Sequence, residues 1–253
     1  MMLARFRVPA LAVTIGAAAV VAPVLSLVAP AQAAAAGHGG GALAGAHARG
    51  ISLVNSDHFA GYEANVAAGS ATTSAAQFKV PALSCTSAFR AITPVAGVET
   101  NNFTSYSSAF LFVGCRSGKA VYFPSLVVNG TETDYTTTHL AAGDVIKVST
   151  KVTTGTTVQV TDVTKSITKK LTGPAASPSA AYIADSAWYN NTTLLGVPKF
   201  KTITFTHCLI DGKALARANP TRVQRVNSSN VVQITTGALS STGTSFATHF
   251  KHA

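Results

Sequence analysis

Acidic side chains are scarce in this 253-residue chain, with nine Asp and Glu against nineteen Lys and Arg. Chemistry that needs carboxylates must draw on few candidates, and no Glu follows Glu132. Seven His are present, but His58, His139, His207, His249 and His252 lie in unrelated segments. His207 next to Cys208 has no second cluster to complete a metal site. A serine nucleophile would call for a Gly-x-Ser-x-Gly elbow, because a sharp strand-to-helix turn must expose the hydroxyl; the chain has none. Cys85, Cys115 and Cys208 fall one per segment, so no Cys-x-x-Cys pair exists for zinc or dithiol chemistry. Phosphate-loop and dinucleotide fingerprints are also missing. Neither a metal nor a cofactor is expected.

The elements around these residues begin with an export signal. Arg5 and Arg7 precede an uncharged apolar run from Val8 to Val28, and Ala31-Gln32-Ala33 supplies the small-x-small pattern that signal peptidase accepts. Cleavage after Ala33 is expected, with residues 1–33 removed. Residues 34–50, rich in Ala and Gly, read as a flexible leader. The rest, 51–253, has no second apolar run of spanning length, so it should leave the membrane and act outside the cell. Without Arg5 and Arg7 the charge is 17 − 9 = +8. That basicity is thinly spread and not interleaved with aromatics, so a nucleic-acid partner is not expected. In an oxidising compartment one cysteine pair should bond and one thiol should be left over. Three pairings are open; Cys85 with Cys115 is expected, since both sit in early strand-like segments. Nothing in the chain sets its oligomeric state.

From Ile51 onward the pattern is that of strands. Runs rich in Val, Ile, Thr, Tyr and Phe occupy 108–114, 120–128, 144–152, 156–163, 199–206 and 230–235. Apolar residues recur at every second position in Val145–Val152 and Val158–Val163, which places one face on a core and one in water. Turn signals recur between the runs, at Asn129-Gly130, Gly143-Asp144, Thr154-Gly155 and Asp211-Gly212. The expected fold is all-β: a single antiparallel β-sandwich over 51–253.

The order of the segments resembles the eqolisins, the glutamic endopeptidases, whose fold is a concanavalin A-like β-sandwich. Phe59-Ala60-Gly61-Tyr62 stands where the family has N-W-A-G-Y. Phe78-Lys79-Val80-Pro81, with Cys85 shortly after, matches an apolar stretch ending in Pro. The strand Phe110–Gly114 matches W-V-G-I-D-G, and Gly143-Asp144-Val145-Ile146 matches the G-D-x-I turn. Ser179-Ala180-Ala181-Tyr182-Ile183-Ala184-Asp185 stands for S-A-E-W-I-V-E.

The resemblance implies a Glu acting as general base and then acid, and a Gln amide stabilising the oxyanion. Here Ala181 stands at the Glu position, and 115–143 contains no Gln. Asp185 and Glu132 are the substitutes considered for displaced acid chemistry. Tyr122, Tyr182 and Trp188 flank the regions where the family builds its groove and are expected to line it. The expectation is therefore a secreted, non-catalytic relative that presents a concave groove to peptide or polysaccharide. An acid endopeptidase using displaced carboxylates and a carbohydrate-binding module are the alternatives.

Overall fold

The computed structural model describes residues 51–252 apart from positions 52, 71, 101–104, 191 and 192. The expected export signal, 1–33, and the expected leader, 34–50, lie outside the described residues. In chain order the strands are β1 (Leu53–Ser56), β2 (Phe59–Asn65), β3 (Thr72–Lys79), β4 (Leu83–Ser84), β5 (Arg90–Glu99), β6 (Tyr106–Arg116), β7 (Lys119–Val128), β8 (Thr131–Asp134), β9 (Val145–Val152) and β10 (Gly155–Asp162). They continue as β11 (Ile167–Pro174), β12 (Ala180–Ala187), β13 (Tyr189–Asn190), β14 (Thr193–Leu194), β15 (Lys199–Phe200), β16 (Thr202–Ile210), β17 (Lys213–Ala214), β18 (Thr221–Val226), β19 (Val232–Thr236) and β20 (Phe246–Phe250). Among the described residues, a short 3-10 helix, Leu215–Ala218, interrupts them.

The expected sandwich is present. Its hydrogen-bonded order is β11-β10-β9-β3-β16-β20-β19-β18-β2-β12-β5-β6-β7-β8, with β1 beside β18 and β17 beside β16. Neighbours are antiparallel except β1 with β18. The sheet folds back on itself: β9 and β3 pack across β5, and β10 across β6 and β7. Closing a sheet onto its own face in this way buries its apolar side without a second chain.

Between the layers lies the main core. Phe205 stacks on Phe246 at 4.8 Å between ring centroids, and Tyr62 meets Phe246 edge-on at 4.9 Å. Two hydroxyls tie the layers together: Ser74 of β3 donates to the Tyr182 carbonyl at 2.9 Å, and Thr150 of β9 donates to the Ala96 carbonyl at 2.8 Å. The strands β9 and β10 show the alternation read from sequence, one side buried and one wet. By contrast β5, β6 and β12 are buried on both faces along most of their length. A second apolar cluster explains this. Phe59, Val95, Phe110, Val127, Tyr182, Ala184 and Val223 pack on the outer face of the front layer, away from the main core.

The turns carry the residues that positive φ favours. Asn129 and Gly130, at φ 49° and 79°, reverse the chain between β7 and β8, and Asp211 and Gly212, at 54° and 71°, do so between β16 and β17. The expected run 199–206 is divided between β15 and β16, and β16 carries a register shift between Thr206 and Leu209, where His207 adopts φ 51°. The Cys85–Cys115 disulfide joins the segment after β4 to β6, and Cys208 is a free, buried thiol.

Candidate functional site

The outer face of the front layer is built from transverse rows. Strand pairing aligns Thr221 of β18, Glu63 of β2, Tyr182 of β12, Gly97 of β5, Ser108 of β6, Val127 of β7 and Glu132 of β8 in one row. The next row reads Val223, Gly61, Ala184, Val95, Phe110, Ser125 and Asp134. Because strand side chains alternate between faces, all of these share one side of the sheet. A cavity of about 310 Å³ opens on that side, with Phe59, Val95, Phe110 and Tyr182 in its floor and Trp188 and Tyr189 in one wall.

Aromatic packing shapes the wall. Trp188 meets Phe110 and Phe112 edge-on at 5.8 and 5.1 Å, and Phe112 stacks on Phe123 at 4.5 Å. The Tyr189 hydroxyl shares a 2.9 Å hydrogen bond with His58 Nδ1. In the floor, the Tyr182 ring lies across Gly97: a Cβ there would sit 2.5 Å from the Tyr182 ring and hydroxyl. Glycine is required at 97 by this close approach, and its absent side chain makes the slot that the phenol fills.

The same alternation corrects two expectations. Ala181 and Asp185 point to the other face of β12, into the main core, so the position matched to the family Glu does not face the groove. Asp185 is fully buried and accepts a short hydrogen bond from Thr248. Burial pushes its carboxyl up to about 7, against the opposing pull of the Thr248 hydroxyl and the Arg225 charge. It cannot serve a groove substrate from the opposite side of the sheet. Tyr122 is the second correction: it packs against the main core and donates to the Pro81 carbonyl at 3.0 Å. Of the three aromatic groove candidates, Tyr182 and Trp188 line the cavity.

Other motif residues have structural work. Tyr62 is buried and donates to the Gly237 carbonyl at 2.8 Å. Gly61 lets β2 approach β12, since a Cβ would lie 2.3 Å from the Ile183 carbonyl oxygen. At Gly114 a Cβ would lie 2.5 Å from the Phe112 ring. Gly143 adopts φ 97° in its turn, and Asp144 accepts from the Ala141 amide at 2.7 Å and from Lys165 Nζ at 2.5 Å. Burial alone would raise the Asp144 carboxyl, but these partners hold it below the ordinary aspartate value.

The fold also brings in carboxylates that spacing along the chain does not single out. Glu63 and Glu99 join Glu132 on the groove face. Glu99 ends β5 two residues past Gly97, and its residue exposure is 5 %. Burial, reinforced by Glu63, pushes its carboxyl up to about 8. Glu132 lines the cavity at its exposed rim and accepts from the Ser125 hydroxyl at 2.7 Å. Partial burial raises it to about 7, with the Ser125 hydrogen bond opposing and Asp134 adding to the rise. A period-two signal was available for both missed residues: Glu63 follows Phe59 and Gly61, and Glu99 follows Val95 and Gly97.

The doubled-over sheet agrees with comparison to known proteins. The Peptidase A4 family model matches residues 57–249. The chain belongs to the peptidase A4 family. Three solved structures of the eqolisin group share its fold. Scytalido-glutamic peptidase with a transition state analog inhibitor is 15 % identical, with a TM-score of 0.65, covering 77 % of this chain and 98 % of that one. SCP-B, an eqolisin in complex with the tripeptide Ala-Ile-His, is 16 % identical, with a TM-score of 0.61 over 77 % of this chain and 98 % of that one. Aspergilloglutamic peptidase from Aspergillus niger is 16 % identical, with a TM-score of 0.52 over 71 % of this chain and 99 % of that one. A search of curated protein sequences returns no match.

Proposed function

We propose that this peptidase A4 member is exported, and that it holds an extended peptide in its concave groove without cutting it. The observation that carries the reading is the row through Tyr182. The central β12 position on the groove face is a tyrosine, and its neighbours on that face, Ala184 and Ser186, offer no carboxylate. A general base for peptide hydrolysis must reach the attacking water within hydrogen-bond distance. Among the acids on this face, Glu63 stands directly across from Tyr182 on β2, Glu99 closes the end of β5, and Glu132 and Asp134 lie on β8; none is on β12 itself. An aromatic floor with polar edges suits an extended chain, whose backbone presents both apolar side chains and hydrogen-bonding groups. Polysaccharide is the other occupant considered, and a glycan array should stay silent.

A second reading, an acid endopeptidase, is favoured by one observation: Glu132 lines the cavity and is held near neutral pKa, as a catalytic acid would be. Incubating the purified chain with denatured protein at acidic pH separates the two. No cleavage supports the binding reading; cleavage that disappears in Glu132→Gln overturns it. For export, expression with the native N-terminus should yield protein in the medium beginning at Ala34, and retention of residues 1–33 would sink that part.

A further inference from the structure

At one end of the groove, five strands converge with acids and phenols. Glu63 comes from β2, Glu99 from β5, Tyr106 from β6, Tyr182 from β12, and Glu132 with Asp134 from β8. Tyr106 pairs with Glu99 across β5 and β6, and Tyr106, Ser108, Tyr182 and Glu132 all line the cavity. The β7 residues in these rows, Val127 and Ser125, carry no charge.

The Oε2 atom of Glu99 is buried with no hydrogen-bond partner, although 95 % of the residue is withdrawn from water (exposure 5 %). A buried carboxylate oxygen without a donor costs free energy, and such an atom calls for explanation. Glu63 worsens the situation by repulsion. The missing element is a donor with positive charge. Among the described residues no three His, Cys, Asp or Glu stand close enough to hold a metal ion. An organic cation on a long side chain suits this place, since the ring faces of Tyr106 and Tyr182 add attraction for it.

We propose that this end of the groove is a subsite for a basic side chain, lysine or arginine, of the bound peptide. The proposal rests on the peptide-binding reading above. The head group enters past Tyr106 and Tyr182 and meets Glu132, which lines the cavity with them, while Glu99, buried behind the lining beside Tyr106, and Glu63 on β2 add negative potential. Burial, with repulsion from Glu63 on Glu99 and from Asp134 on Glu132, holds Glu99 and Glu132 partly protonated near neutrality, so binding the cation releases protons and strengthens as pH rises.

Fluorescence anisotropy with labelled alanine-rich heptapeptides carrying a central Lys, Arg or norleucine tests this. At about pH 9 the basic peptides should bind at least tenfold more tightly than the norleucine peptide, as expected for a charge-assisted hydrogen bond. At about pH 5, below the raised values of Glu99 and Glu132, the preference should largely vanish. Glu99→Gln should bring the affinity for basic peptides toward that of the norleucine peptide. Should that variant fail to fold by circular dichroism, Glu132→Gln at the exposed rim reads the same loss. Equal affinity for all three peptides at high pH overturns the subsite and leaves the groove reading standing. Binding of none of them overturns both.

Discussion

Gly61 and Gly97 both admit a neighbour where a side chain would stand, but the neighbours differ. At Gly97 an added Cβ meets the Tyr182 ring, whereas at Gly61 it meets the Ile183 carbonyl and the Ala184 Cα of the adjacent strand. A ring can shift at the cost of some packing; a paired backbone cannot shift without opening the ladder. Gly97→Ala should therefore cost about 1–3 kcal/mol by overpacking, and Gly61→Ala more, read as a lower urea midpoint. Gly97→Ala should also perturb tyrosine fluorescence, because it dislodges Tyr182 from the groove floor. Asp144 makes a different argument. Its carboxyl is held low in the fold, so its contribution is present above the unfolded value near 3.9 and is lost as pH falls through the lower folded value. Asp144→Asn should thus destabilise by about 1–3 kcal/mol at neutral pH, since it removes the acceptor of a charged hydrogen bond. The difference from the parent should disappear in strong acid.

Among elements, the outer strands were legible and the groove strands were not. In β9 and β10 one face meets water, so alternation in the sequence reports which residues are inside. In β5 and β12 both faces are covered, one by the main core and one by the groove cluster, so apolar residues run continuously. Pro94 deepens the difficulty: a proline inside a central strand argues against a strand at all. Its missing amide coincides with the gap in pairing between Ile92–Val113 and Val95–Phe110. Without alternation, sequence order alone matched Ala181 and Asp185 to the groove, one position out of phase with the face that lines it. The row from Glu63 to Glu132 is drawn from six strands, and chain distance conceals it. The disulfide belongs to this scale as well. Cys85 and Cys115 close a loop of 30 residues' separation, which by chain entropy stabilises by about 3–4 kcal/mol. Replacing both with Ser should lower the free energy of unfolding by about that amount in guanidinium titration, with the secondary structure retained at low temperature.

For the whole molecule, the acids that the fold raises outnumber the one it lowers. Glu99 rises to about 8 and Asp185 to about 7, each mainly through burial. A carboxyl whose folded value lies above its unfolded value of about 4 binds more protons when folded, so stability falls as pH climbs between the two values. The penalty is absent below about pH 4 and complete above about pH 8. The melting temperature should accordingly be higher near pH 5 than near pH 8.5, and Asp185→Asn should flatten that slope. A profile that rises toward alkaline pH would contradict the burial of these groups.

Cys208 lies sealed between the layers, and burial pushes its thiol up to about 12. Thiolate, not thiol, attacks disulfides, so this sulfur is chemically silent toward Cys85–Cys115 while the sandwich stays closed. It becomes reactive when β16 parts from its neighbours. The molecule thus carries its own clock for opening: the rate at which a chromogenic thiol reagent labels native protein counts each excursion that parts the layers.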